Sequence, residues 1–91
     1  MPTSWLKNKN SKRWKQLEHI LSHMPDEFSN KDIMNFLEYR WDTEGPKNRE
    51  GRPQIMHHFN RNNISKFLAS HKNIEKRDVK IKGINIYRKR K

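Results

Sequence analysis

Cysteine is absent from this chain, glycine occurs only three times, and no apolar run approaches the roughly 20 residues of a membrane span. Without cysteine there are no disulfides and no thiolate metal sites, which fits a reducing, intracellular setting. Met1 to Asn10 lack the apolar stretch of a secretory signal. No strongly amphipathic basic helix and no lipidation motif is evident, so a membrane is not expected as a partner. Acidic residues are also scarce, ten Asp and Glu against twenty-one Lys and Arg.

What remains is a short basic chain with material for one core. Its 91 residues are 31% hydrophobic, and three Trp, four Phe and two Tyr supply the bulk that so few aliphatics would leave thin. A net charge of +11 and a pI near 10.3 point to a polyanionic partner, most commonly nucleic acid. The charge is unevenly placed. Residues 1–15 carry five basic and no acidic side chains, residues 16–50 four against eight, and residues 51–91 twelve against two. A scaffold in the middle with phosphate-facing ends would produce that distribution.

Residues 1–10 are polar, basic and aperiodic, which predicts a flexible arm, in which Trp5 is placed to stack on an unpaired base. From Ser11, the helical spacing of Trp14, Leu17, Ile20, Leu21 and Met24 predicts a first helix over about 11–24, stopped by Pro25. Ser29 and Asp32 resemble a capping box, and Phe28 and Ile33 are spaced for a hydrophobic staple. They predict a second helix from Asn30 to near Trp41, with Ile33, Phe36, Leu37 and Trp41 inward. Residues 42–52, with Gly45, Pro46 and Gly51, read as a surface loop. Residues 53–59 fit either a short helix opened by Pro53 or a short strand, and the helix is favoured.

A third helix is expected over about 62–72, with Ile64, Phe67, Leu68 and His71 on its inner side. From Asp78 the period falls to two. Val79 and Ile81 alternate with Lys80 and Lys82, and Ile84 and Ile86 with Asn85 and Tyr87, a β-hairpin with Lys82 and Gly83 at its tip. The predicted class is α+β, mainly helical, with an arm at 1–10, a domain at 11–88 and a basic tail at 89–91.

The order helix, helix, helix, strand, strand resembles the winged helix-turn-helix superfamily. Two phrases carry the likeness, Phe28-Ser29-Asn30-Lys31-Asp32-Ile33 at the start of helix two and Ile64-Ser65-Lys66-Phe67-Leu68 ahead of the hairpin at 79–87. The loop at 42–52 is longer than in a tight helix-turn-helix. The resemblance implies a DNA-binding role, with the third helix in the major groove and the wing along the backbone or a minor groove.

Asn62, Asn63, Lys66 and Ser70 are the candidates for groove contact, with Arg61 beside them and Ala69 able to touch a thymine methyl. Asn is also among the best helix caps, so part of the cluster Asn60, Asn62, Asn63 has a purely structural reading. For the wing and tail the candidates are Lys80, Lys82, Arg88, Lys89 and Arg90. If about six to ten basic groups neutralise phosphates, the log–log salt slope is about −5 to −9.

Catalysis and metal binding are not expected. His19 and His23 are spaced i, i+4 but lack the following Glu of a zinc motif, and adjacent His57 and His58 diverge on any helix. His71 reads as a packed helix-end residue. No nucleophile elbow, Gly-rich phosphate loop or pair of acids is present, and no cofactor is implied. The expected partner is double-stranded DNA for a transcriptional or genome-associated factor. Structured RNA, or a protein docking on residues 16–50, are the alternatives, and a homodimer is allowed although no heptad is sustained.

Overall fold

The computed structural model describes residues 4–90, apart from the side chains of Ser4 and Val79. Met1 to Thr3 and Lys91, the extremes of the expected arm and tail, lie outside the described residues, as does the inward alternation expected of Val79.

Helix α1 (Lys12–Ser22) begins where the Ser11 hydroxyl accepts the Trp14 N–H at 3.2 Å. Trp14, Leu17, Ile20 and Leu21 are buried along it, as their spacing requires. Strand β1 (Glu27–Ser29) follows. This strand is an addition to the expected order, because three residues are too few for an alternating pattern to register. Its Phe28, spaced for a helix staple with Ile33, is buried in the same core as that residue and stacks on Tyr87 across the sheet, ring centroids 6.2 Å apart.

Helix α2 is α-helical over Asn30–Asn35, widens into a π turn over Phe36–Arg40, and closes as α-helix over Trp41–Glu44. The Asp32 carboxylate accepts the Ser29 backbone N–H at 2.9 Å, as its place in the capping pattern predicts. Ile33, Phe36, Leu37 and Trp41 are all buried. The helix runs past Trp41 to Gly45, whose N–H bonds the Trp41 carbonyl at 3.0 Å.

Helix α3 (Arg61–Ser70) is capped reciprocally: Asn60 Oδ1 accepts the Asn63 N–H at 2.8 Å, and Asn63 Oδ1 accepts the Asn60 N–H at 3.3 Å. Strands β2 (Ile74–Ile81) and β3 (Ile84–Lys89) form the expected hairpin, with β2 starting earlier than the alternation suggested. The sheet is antiparallel in the order β1-β3-β2, with a register shift between Lys76 and Lys80. Ile81 at the wing end is exposed, so the tip of the hairpin extends beyond the core. The result is an α+β, mainly helical domain of winged-helix-like architecture.

Aromatic rings close the core. Phe67 of α3 meets Trp14 of α1 edge to face at 4.7 Å and stacks on Trp5 at 6.5 Å. Trp5 is only 8% exposed and also touches Phe59, so it is not the base-stacking platform considered above. It sits on a 3₁₀ turn, Ser4–Lys7, that fastens part of the expected arm to the domain.

Residues 53–59 are neither helix nor strand, apart from an isolated bridge between Pro53 and Lys47. They are held in place largely by one buried side chain. Gln16 of α1 donates through Nε2 to the Ile55 carbonyl (3.1 Å) and to Gln54 Oε1 (3.2 Å). Its Oε1 accepts from the His57 backbone N–H (3.2 Å) and from His57 Nδ1 (3.0 Å). All four hydrogen-bonding positions of the amide are thereby used. Trp41 adds a bond from its indole N–H to the Gln54 carbonyl at 2.8 Å. The helix expected here fails because these partners lie far away in sequence and take its backbone groups one by one.

Gln16→Leu is expected to cost about 1–3 kcal/mol, since the loop loses its partners in a partly buried setting. Thermal melting and faster proteolysis within 53–59 would measure this. Burial, followed by the charges of Arg13 and Lys12, holds the His57 imidazole below its ordinary pKa of 6.5. Its stabilising contribution is therefore complete above about pH 6.5 and is lost as pH falls towards the depressed value. Melting temperatures on either side of pH 6.5 should diverge less in His57→Gln than in the parent chain.

Candidate nucleic-acid interface

Burial of Ile64, Phe67 and Leu68 fixes which way the rest of α3 faces. At 100° per residue, Asn62, Lys66, Ala69 and Ser70 fall together on the opposite side, and all four are exposed. Arg61 is exposed at the start of the helix. Asn63 is half-buried and its Oδ1 serves the helix cap, so the structure gives it the structural role weighed above. No residue of 61–70 is acidic.

The wing tip comes to the beginning of this helix. Arg61, Asn30 and Lys31 from the start of α2, and Gly83, Ile84 and Asn85 from the hairpin surround a small cleft of about 150 Å³. Asn30 links the helices, its Nδ2 donating to Ser65 Oγ at 2.6 Å. Asn30 and Asn85 each keep a buried side-chain carbonyl oxygen without a partner among the described residues. Lys31, Asn30 and Asn85 were not singled out from sequence. Lys31 had a legible signal, as a cation in the first turn of a helix where an acid is the usual choice; the two asparagines had none, because their importance arises from the meeting of distant segments.

Lys80 and Lys82 are exposed, and neither makes an ion pair among the described residues. The hairpin turns through Lys82 (φ 52°) and Gly83 (φ 78°), both in the left-handed region, as a two-residue turn matched to strand twist requires. Gly83 adopts this freely, whereas Lys82 does so at a cost of about 1 kcal/mol. Asn or Asp would suit that position better, so a lysine there gains charge at the expense of local stability.

The C-terminal candidates behave differently. Glu27, Arg88 and Glu75 lie side by side across the three strands. Arg88 Nε donates to Glu75 at 2.7 Å, Arg77 to Glu27 at 2.6 Å, and Arg90 lies 3.8 Å from Glu75. Lys89 is half-buried and its ammonium donates to the Met24 carbonyl at 2.6 Å. The Arg90 backbone N–H bonds the Asn73 carbonyl at 2.7 Å. Arg88, Lys89 and Arg90 thus have partners within the fold and are not gathered with Lys66 and the wing tip. Their signal in the sequence was charge alone, and cross-strand pairing depends on a register that the sequence does not display.

The histidines have local roles. His19 Nε2 lies 2.9 Å from the Glu44 carbonyl, and His23 packs on Phe36 with ring centroids 5.4 Å apart. His71 stacks flat on Trp14 at 5.8 Å, accepts the Asn73 N–H at Nδ1 and directs Nε2 to Glu18 at 3.2 Å. Among the described residues no group of three His, Asp or Glu side chains comes together around a metal position. No helix of the described residues is long and apolar enough to cross a membrane.

Fold and surface together define a winged-helix-like module, an architecture often used to bind nucleic acid. Compared with known proteins, the chain matches no family model, no curated protein and no solved structure.

The strained lysine gives a test independent of binding. Lys82→Asn is expected to leave the melting temperature unchanged or raise it, by up to about 1 kcal/mol of stability, because Asn tolerates the left-handed turn. A clear drop in melting temperature would show that the Lys82 side chain supports the hairpin.

Proposed function

We propose that this chain is a non-catalytic DNA-binding module, acting as a transcriptional or genome-associated factor. The outer face of α3 enters the major groove and the wing tip lies on the phosphate backbone. One observation carries the reading: Asn62, Lys66 and Ser70 share an uncovered helix face, and Arg61 and Lys31, which make no ion pair among the described residues, border the wing tip at its end. Asn is suited to adenine, Lys to guanine or phosphate, and Ala69 to a thymine methyl. From Arg61 to Ser70 the helix rises about 13 Å, enough to span several base pairs along a groove.

The set of phosphate contacts is smaller than net charge suggests. With Arg77, Arg88 and Arg90 engaged by Glu27 and Glu75, the face offers Lys31, Arg61, Lys66, Lys80 and Lys82. About five neutralised phosphates correspond to a log–log salt slope of about −4 to −5 on a short duplex.

Salt titration of duplex binding by fluorescence anisotropy tests this. Lys80→Ala/Lys82→Ala is expected to weaken binding to all sequences and flatten the slope by about 2. Asn62→Ala and Lys66→Ala are each expected to cost about 1–3 kcal/mol on a preferred site, with relaxed sequence preference. Negligible effects from all of these changes would refute the reading. Tighter binding to hairpin RNA than to duplex DNA at matched salt would move it to RNA recognition, and no retention of either at 150 mM salt (an assay condition, roughly physiological) would favour a protein partner.

A further inference from the structure

A second basic surface lies on the other flank of α1. Trp14 and Glu18 face α3, through Phe67 and His71. Gln16 faces the 53–59 segment and His19 the end of α2. At 100° per residue, positions 12, 16 and 19 lie within about 60° of one another and roughly opposite 14, 18 and 21. Lys12 therefore belongs to the flank that faces away from α3.

On that flank, α1 and residues 47–57 enclose a groove of about 750 Å³. Lys12, Lys47 and Arg49 line it, Asn48 and His57 add polar groups, and none of its lining residues is acidic. Lys12 and Arg49 make no ion pair among the described residues, and the Lys47 ammonium has one bond, to the Asp42 carbonyl at 2.5 Å. Gln16 and Trp41 hold the backbone of residues 54–57 on one side of the groove. Burial first, and then the nearby charges of Arg13 and Lys12, oppose protonation of His57 beside this groove. The expected DNA contacts of α3 and the wing use none of these residues.

We propose that this groove is a second polyanion site that takes the phosphodiester backbone of another DNA segment, so that one chain bridges two duplexes. The proposal rests on the DNA-binding reading of α3. Three cations without carboxylates suit a row of phosphates, and their place across the body of α1 from α3 prevents one short straight duplex from occupying both sites.

Bridging can be read by immobilising one short duplex on beads and measuring the full-length chain's capture of a second, labelled duplex. The parent chain is expected to capture it, and Lys47→Ala/Arg49→Ala to reduce capture at least about tenfold, while binding of a single duplex by anisotropy changes less than about threefold. Lys12→Ala should reduce capture in the same direction. Undiminished bridging by the double variant, as a dimer using two α3 faces would give, overturns the proposal, and so does a parent chain that binds one duplex but never bridges. Competition of bridging by poly-glutamate at concentrations where free duplex does not compete would also overturn it, assigning the groove to an acidic protein. Loss of single-duplex binding in Lys66→Ala with Lys80→Ala/Lys82→Ala tests α3 alone, so the two readings fail separately.

Discussion

Phe67 packed between Trp5 and Trp14 determines the orientation of α3, and with it the chemistry the helix presents. Ile64 and Leu68 continue the same inward stripe around the helix from Phe67, and all three are almost fully buried. A ten-residue helix is marginal alone in water, so its position depends on this tertiary contact more than on helical propensity. Once that stripe is inward, Asn62, Lys66 and Ser70 have only the solvent side to occupy. The exposed polar face therefore follows from aromatic packing on the opposite side of the helix.

The wing is placed by a second long-range device. β3 lies between β1 and β2, with Tyr87 beside Phe28 and buried, and this register delivers Gly83, Ile84 and Asn85 to the start of α3. The same register pairs Glu27 and Glu75 with three arginines on the opposite face of the sheet. Exposed pairs of this kind add little stability, about 0–1 kcal/mol each. Their larger effect is on distribution, since they mask positive charge where the sheet faces solvent and leave it unmasked at the wing tip and on α3.

Features set by local chemistry were legible before the structure. Ser29 with Asp32 marked the start of α2, the spacing of Ile64, Phe67 and Leu68 set the phase of α3, and Lys82-Gly83 marked the hairpin tip. Features set by distant partners were not legible. β1 is a strand because β3 is beside it, residues 53–59 are irregular because Gln16 takes backbone groups from them, and Trp5 is buried because Phe59 and Phe67 leave a place for it. The π turn in α2 is marked by neither glycine nor proline. Site residues divided likewise: periodicity placed Asn62, Lys66 and Ser70 correctly on the outer face, whereas charge alone could not separate Arg88 and Arg90, with their glutamate partners, from Lys80 and Lys82.

The most direct examination of the α3-and-wing surface is amide chemical-shift mapping by NMR, with one equivalent of a short duplex added to the intact chain. The largest changes should fall in residues 61–70 and 80–85 and at Asn30 and Lys31, with 75–77 and 86–90 nearly silent. Large changes confined to the strand face of Glu27, Glu75 and Arg88, with α3 unmoved, would contradict the assignment.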